Sequence, residues 1–521
     1  MVSILLATLF LFNADPKDDL LPHTKLKPSR LEKDLCLFQY KIHTSSPLCQ
    51  SFNDQGLSYL YSYVWMEAAR SFETALKHDP DCVMSHIGLG KALDRWGKKA
   101  ESTKVLKSAK RLEEKAAPNE KALLQATFVE YGLNENPAPV GDARIKAATN
   151  IIDQALTQYE EDQELWFTRA QIACNYGNSG GNSNSAIFYK ALLKINPLHP
   201  GANHELIHFY EGQQRPNLGW PHAEGFFLSS PGIPHASHMQ AHLATRLGKW
   251  DKTSDRSTKA VKLEIAYHKD MNVKPSEDHQ FQHHIQTLLI SLTHDGRFKE
   301  ALTLNDTRPD KSRSSVAWFK FLLAARDYAG AEAEAKKFIK TDKNNGAFLM
   351  AILFLSKNDP ESALPWVESL QESWITGKKE KQQEFRIWEI QGLMLAAQGQ
   401  FKLAARLLKR AVDKSKNDYS HHAWGNGSYY LEKWGLISLA GKDFEDAEEA
   451  FLEALAHDPG SFRSALGLRR ICELTGRKEE AKDYSILAEK CWSKADSGLL
   501  EKEWDLIRSL VSDPNIPAAM R

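Results

Sequence analysis

The sequence predicts an all-α superhelix, an α-solenoid of roughly ten helix pairs. Three observations predict it. Two histidine pairs, His204/His208 and His238/His242, are offset from each other by 34 residues in both members. A local pattern, small–x–x–aromatic–x–x–Ala closing on Asp-Pro or Asn-Pro, recurs along the chain. No stretch alternates apolar and polar residues for long, which argues against strands.

A period of 34 is that of the tetratricopeptide repeat, two helices joined by a short turn. Small residues let the paired helices approach, the aromatic fills the gap to the next pair, and proline stops the second helix. The first copy runs from Gly56-Leu57 through Ala69, Phe72 and Ala75 to Asp79-Pro80. Another closes from Ala186 to Asn196-Pro197, and the fullest spans Leu439 to Pro459. Weaker copies lie around Gly296-Arg297-Phe298, Ala325-Arg326-Asp327-Tyr328 and Gly399-Gln400-Phe401. The expected organisation is a signal-like segment over 1–14 and a cap over 15–50. A His-rich repeat region follows over 51–300, and a second repeat region over 301–521. Two stretches interrupt the rhythm and read as loops: NYGNSGGNSNS at 175–185, and GQQRPNLGWPH at 212–222.

Zero formal net charge, from 67 basic and 67 acidic residues, argues against a nucleic-acid or anionic-membrane partner. None of the six cysteines stands in a CxxC, so a zinc ribbon or dithiol motif is not expected. Cys36 and Cys49 would pair only in an exported chain. Residues 2–12 resemble the apolar part of a signal peptide but lack a preceding Lys or Arg. Export, to a periplasm or outside the cell, and a cytoplasmic location therefore both stay open. Beyond this segment no run is long and apolar enough to span a bilayer.

Ten of the 19 histidines fall between 204 and 284. Prolines 197, 200 and 234 mark loop-to-helix junctions and imply helices at 200–211, 218–228, 234–247, 250–265 and 277–294. The first and third carry the two pairs, and the fifth carries His279/His283. A spacing of i, i+4 projects both rings from one helix face. Alternate helices of a solenoid line its concave side, so these imidazoles are expected to converge there. Imidazole ligates zinc, copper, iron and nickel, and an all-imidazole shell points to copper or zinc, with iron open, as one or two ions. Glu205 and Glu211 are candidate ligands or general bases. His222, His268 and His284 read instead as hydrogen-bonded core residues. Residues 204–208 also spell HELIH, a match to the zinc-peptidase HExxH; Gln214 stands where a further histidine ligand would be required.

HPGANHELIHFYE (199–211) and HASHMQAHLATRLGKW (235–250), with HTSSPLCQSFNDQGLSYLY (43–61) and residues 67–93 upstream, resemble a mostly bacterial family of tetratricopeptide-repeat proteins. Its motifs are HPGAxHxxxH and HxxHMxxHxxxRxGxW, and the similarity covers about residues 40–300. The resemblance implies that His204, His208, His235, His238 and His242 form a site, with His283 and His86 as further ligands. It also implies that Arg246 binds an anionic group and that Trp250 packs a helix turn. The chain departs from the family at Val64-Trp65, at Gln286, and at Glu205, where relatives carry an aromatic.

The leading expectation is a His-rich metal centre on the concave face, acting on a small molecule or peptide as an oxidoreductase or hydrolase. For zinc, Glu205 or Glu211 would be the base. A non-catalytic scaffold holding a peptide or protein partner, a metal store or carrier, and a zinc metallopeptidase are the alternatives.

Overall fold

The computed structural model describes residues 20–174, 182–307, 315–377, 381–415 and 428–512. The signal-like segment and residues 175–181 of the expected loop lie outside them. Among the described residues are 25 α-helices, two short 3-10 helices and no strand. Helices pack in sequential pairs, such as Pro47–Tyr61 on Trp65–His78 and Phe462–Leu474 on Lys478–Cys491.

The repeat logic holds at the level of single atoms. The Phe72 ring fits where Gly56 and Gly88 lack side chains; a Cβ would lie 2.7 Å from it at the first and 2.5 Å at the second. Phe451 fits against Gly435 and Gly467 in the same way, at 2.5 and 2.3 Å. Second helices start where the copies place their aromatic: Phe298–Thr303, Tyr328–Thr341, Phe401–Ser415 and Phe444–His457. Asp327 and Asp443 cap two of these through backbone N–H groups, satisfying donors a helix start leaves open.

In the His-rich region the helices are Pro200–Gly212, Pro216–Ser229, Pro234–Arg246, Trp250–Met271 and Phe281–His294. Two expectations need correction. The stretch 212–222 is no long turn: a helix starts at Pro216, whose missing N–H costs nothing at a first position, and continues through Pro221. The last helix begins at 281 rather than 277, because the Asp278 carboxylate accepts from the Gln280 N–H and holds the preceding residues in a turn. His279 is therefore exposed outside the helix and forms no helical pair with His283.

The chain forms two compact units, Met1–Glu211 with Pro221–Ala236, and Gly212–Trp220 with Ser237–Arg521. In the first, residues 20–46 are not a cap on one edge but a strap along several repeats. The Glu73 carboxylate accepts from the Thr24 N–H, Thr74 Oγ1 from the Ser29 N–H, and Glu120 from the His43 N–H. Leu21, Leu35, Phe38, Tyr40 and Ile42 are buried beneath it. The Leu37 N–H donates to the Ser229 carbonyl at 2.7 Å, and the Gly232 N–H to the Leu35 carbonyl at 3.1 Å. A Cβ on Gly232 would sit 2.8 Å from the Leu35 Cα, so the strap's approach requires glycine there. The Cys36–Cys49 pairing is not formed: both thiols are free, Cys36 lying against Ser230 and Cys49 against Ser85.

The second unit brings an early and a late repeat together. Gly248, at φ +65°, would carry a Cβ 2.7 Å from the Gly460 nitrogen. The Asp496 N–H donates to the Gly296 carbonyl, and the Trp492 indole to the His294 carbonyl. Trp250 does not merely pack a helix turn. It stacks on His294 at 3.8 Å between ring centres and donates its indole N–H to Asp458.

Candidate metal centre

In the first unit, His204 and His208 project from the Pro200–Gly212 helix, and His235 is the second residue of the Pro234–Arg246 helix. Their ligating atoms lie within 4.8 Å of one another. The His204 Nε2 is 3.1 Å from the His208 Nε2 and 3.0 Å from the His235 Nε2. The His204 Nδ1 is 2.6 Å from the Tyr61 carbonyl oxygen, an acceptor only, so the proton of neutral His204 sits on Nδ1. That fixes Nε2 as a lone pair aimed at the other two rings. A single lone pair cannot accept well from two in-plane donors; an ion shared by three lone pairs removes the conflict.

His204 and His235 are buried and His208 is half-buried. Phe226 stacks on one side of His204 at 4.9 Å, and Tyr63 packs against it at 4.5 Å. The Tyr63 ring also lies parallel to His208 at 6.1 Å, while its hydroxyl donates to Glu205 Oε1 at 2.8 Å. Burial, and then the Glu205 charge, push the Tyr63 phenol well up, so it stays a donor. Tyr63 sits at φ +60°, in a left-handed turn where Gly97 stands 34 residues later. An aromatic there is unfavourable without a compensating contact.

In the second unit, His238 and His242 come from the Pro234–Arg246 helix and His283 from Phe281–His294. The His242 Nε2 lies 2.7 Å from the His238 Nε2 and 3.4 Å from the His283 Nε2. The group again falls within 4.8 Å. His284 packs on His238 at 4.0 Å between ring centres, and its Nδ1 is 2.8 Å from the buried Glu264 carboxylate. Burial raises the Glu264 carboxyl, and the His284 beside it partly offsets the rise.

A family model described as a tetratricopeptide repeat matches residues 53–120, 348–419 and 433–493. These three regions carry tetratricopeptide repeats. No curated protein matches the chain. Among solved structures it is similar to the human IFIT1 dimer with m7Gppp-AAAA, at 14% identity over 86% of this chain and 91% of that one, with a TM-score of 0.29. It is also similar to the P58(IPK) TPR domain, at 11% identity over 86% and 99%, with a TM-score of 0.26. No helix among the described residues of this repeat protein is long and apolar enough to cross a membrane.

The remaining expected site residues are placed as follows. His86 belongs to neither three-histidine group; its Nδ1 is 2.9 Å from the Cys82 carbonyl, one turn back in its own helix. Glu205 is buried, accepts from the Tyr63 hydroxyl and lines a cavity. Glu211 and Arg246 are buried in the last turns of their helices, and neither belongs to a group. His222 hydrogen-bonds Asn203, and His268 lies 3.0 Å from Asp278. Sequence reasoning missed Tyr63. Its signal is a tyrosine one repeat before a turn glycine.

Proposed function

We propose that this repeat protein binds two metal ions, one at His204/His208/His235 and one at His238/His242/His283. The observation that carries the reading is the set of Nε2 separations, 3.0 and 3.1 Å in the first group and 2.7 and 3.4 Å in the second. Nitrogens bound at about 2.0–2.1 Å to a tetrahedral ion stand roughly 3.3–3.4 Å apart. Three imidazoles with a fourth position left for a ligand suit zinc or copper, with iron also accommodated. The motif resemblance, in which five of these six histidines fall on HPGAxHxxxH and HxxHMxxH, supports the same reading.

The first centre is the one we assign to chemistry. Tyr63 packs against all three of its rings and donates to Glu205, and the two line a cavity of about 540 Å³. A bound ion supplies Lewis-acid or redox capacity; Glu205 is placed to take a proton from a substrate group, and Tyr63 to orient that carboxylate. Glu205 does this from the middle of HELIH, with His235 completing the triad from another helix. Elemental analysis of untagged protein tests the reading: two ions per chain are expected. Metal-free protein that takes up neither zinc nor copper would overturn it.

A further inference from the structure

The cavity beside the first triad has its own recognition chemistry. Along the inner face of the Val83–Arg95 helix it is lined by Ile87, Lys91 and Arg95, and from the Pro118–Tyr131 helix by Leu123 and Glu130. Leu57, Leu60 and Phe167 complete an apolar wall. Among the described residues, Lys91 and Glu130 form no hydrogen bond or ion pair, although each feels the other's charge. A half-buried ammonium and carboxylate, opposite in sign and not paired with each other, face one cavity where a ligand carrying both charges could bridge them. Burial pushes the Glu130 carboxyl up to about 7 and lowers Lys91, and the charge of each partly offsets the shift of the other.

We propose that this cavity binds an amino-acid-type zwitterion with an apolar side chain. Lys91 and Arg95 hold its carboxylate, Glu130 holds its ammonium, and Leu57, Leu60 and Leu123 receive its side chain. A singly charged ligand would satisfy only one of the two opposed groups. The binding site stands on the cavity alone. That its occupant is the substrate of the first triad rests on the metal reading above, through Tyr63, which lines the cavity and packs on the triad's rings.

The test is calorimetric titration of the full chain, stripped of metal by chelation, with L-leucine, L-phenylalanine, 3-methylbutylamine and 4-methylpentanoate. Either amino acid should bind at least about tenfold more tightly than either singly charged analogue. Lys91→Met should weaken leucine by about tenfold and leave the amine unchanged; Glu130→Gln should weaken leucine and leave the carboxylate unchanged. Leucine and phenylalanine both failing to bind, or binding no better than the analogues, would overturn the proposal. So would wild-type leucine affinity in a Lys91→Met protein of unchanged circular dichroism. Metal content measured on the same preparation before chelation separates the two readings. Leucine binding without metal uptake removes only the metal centre, and metal uptake without leucine binding removes only this site.

Discussion

The two histidine triads share a plan and differ in how it is completed. Each takes an i, i+4 pair from one helix, and the pairs are related by the 34-residue period. The third histidine breaks the relation. His235 and His283 both sit in the first turn of their helices, but 48 residues apart (283 − 235) instead of 34, and only His235 shares its helix with a histidine pair. Their surroundings differ too. The first triad has a tyrosine–carboxylate wall facing a cavity, and the second is backed by the buried pair His284/Glu264. The i, i+4 histidine pair recurs with the repeat period, whereas the groups around each pair do not.

The sharpest way to break this comparison is to remove the central ring of each triad. His204→Ala and His242→Ala should each lower metal content from two ions per chain to one, and the double variant should hold none, by elemental analysis. Acidification should release both ions, because protons compete with the metal for the same ring nitrogens. Equal metal content at pH 8 and pH 5 would contradict an imidazole shell.

A second comparison sets the units' architectures against each other, strap in one and closure in the other. Trp250→Ala removes a buried indole at the closure and should cost about 3–5 kcal/mol in a denaturant titration. Gly232→Ala pushes a Cβ into the strap's backbone and should cost about 1–3 kcal/mol. Metal content after Trp250→Ala tells whether the second triad depends on the closure.

A finer contrast lies in the supporting groups. Tyr63→Phe, which releases Glu205, should weaken the first site about tenfold and spare the second. Glu264→Gln should do the reverse, read by competition with a chromogenic chelator. The smallest effect is at His294. Burial acts to lower its pKa, but the Asp458 charge and hydrogen bond outweigh this and raise it, with Glu432 adding to the rise and Arg463 opposing it. A raised histidine contributes stability that is full below about 6.5 and fades as pH climbs through the folded value. The melting temperature should therefore fall more between pH 6 and pH 9 in wild type than in His294→Gln.

The sequence made the repeats legible because each side chain in the pattern answers to its neighbours a fixed number of residues away. Phe72 against Gly56 and Gly88 is such a case. The histidine pairs were legible for the same reason. What escaped were contacts between distant parts of the chain with no period behind them. Residues 20–46 read as an edge cap because nothing in them announces that Glu73, Glu120 and Ser229 will receive their backbone. Trp250 was placed locally, although its partner Asp458 lies 208 residues on. The helix that enters 212–222 is hidden in the sequence because proline and glycine read as breakers there, although Pro216 stands at a helix start.

The contact of Gly248 and Trp250 with Asp458 and Gly460 has a topological consequence. Repeat arrays ordinarily tolerate loss of a terminal repeat, since each touches only its neighbours. Here the span between residues 248 and 460 is tied at both ends, so deleting the last helices would strip cover from its beginning as well. Trimming from the carboxyl end should therefore unfold this unit cooperatively, instead of shortening it one step at a time.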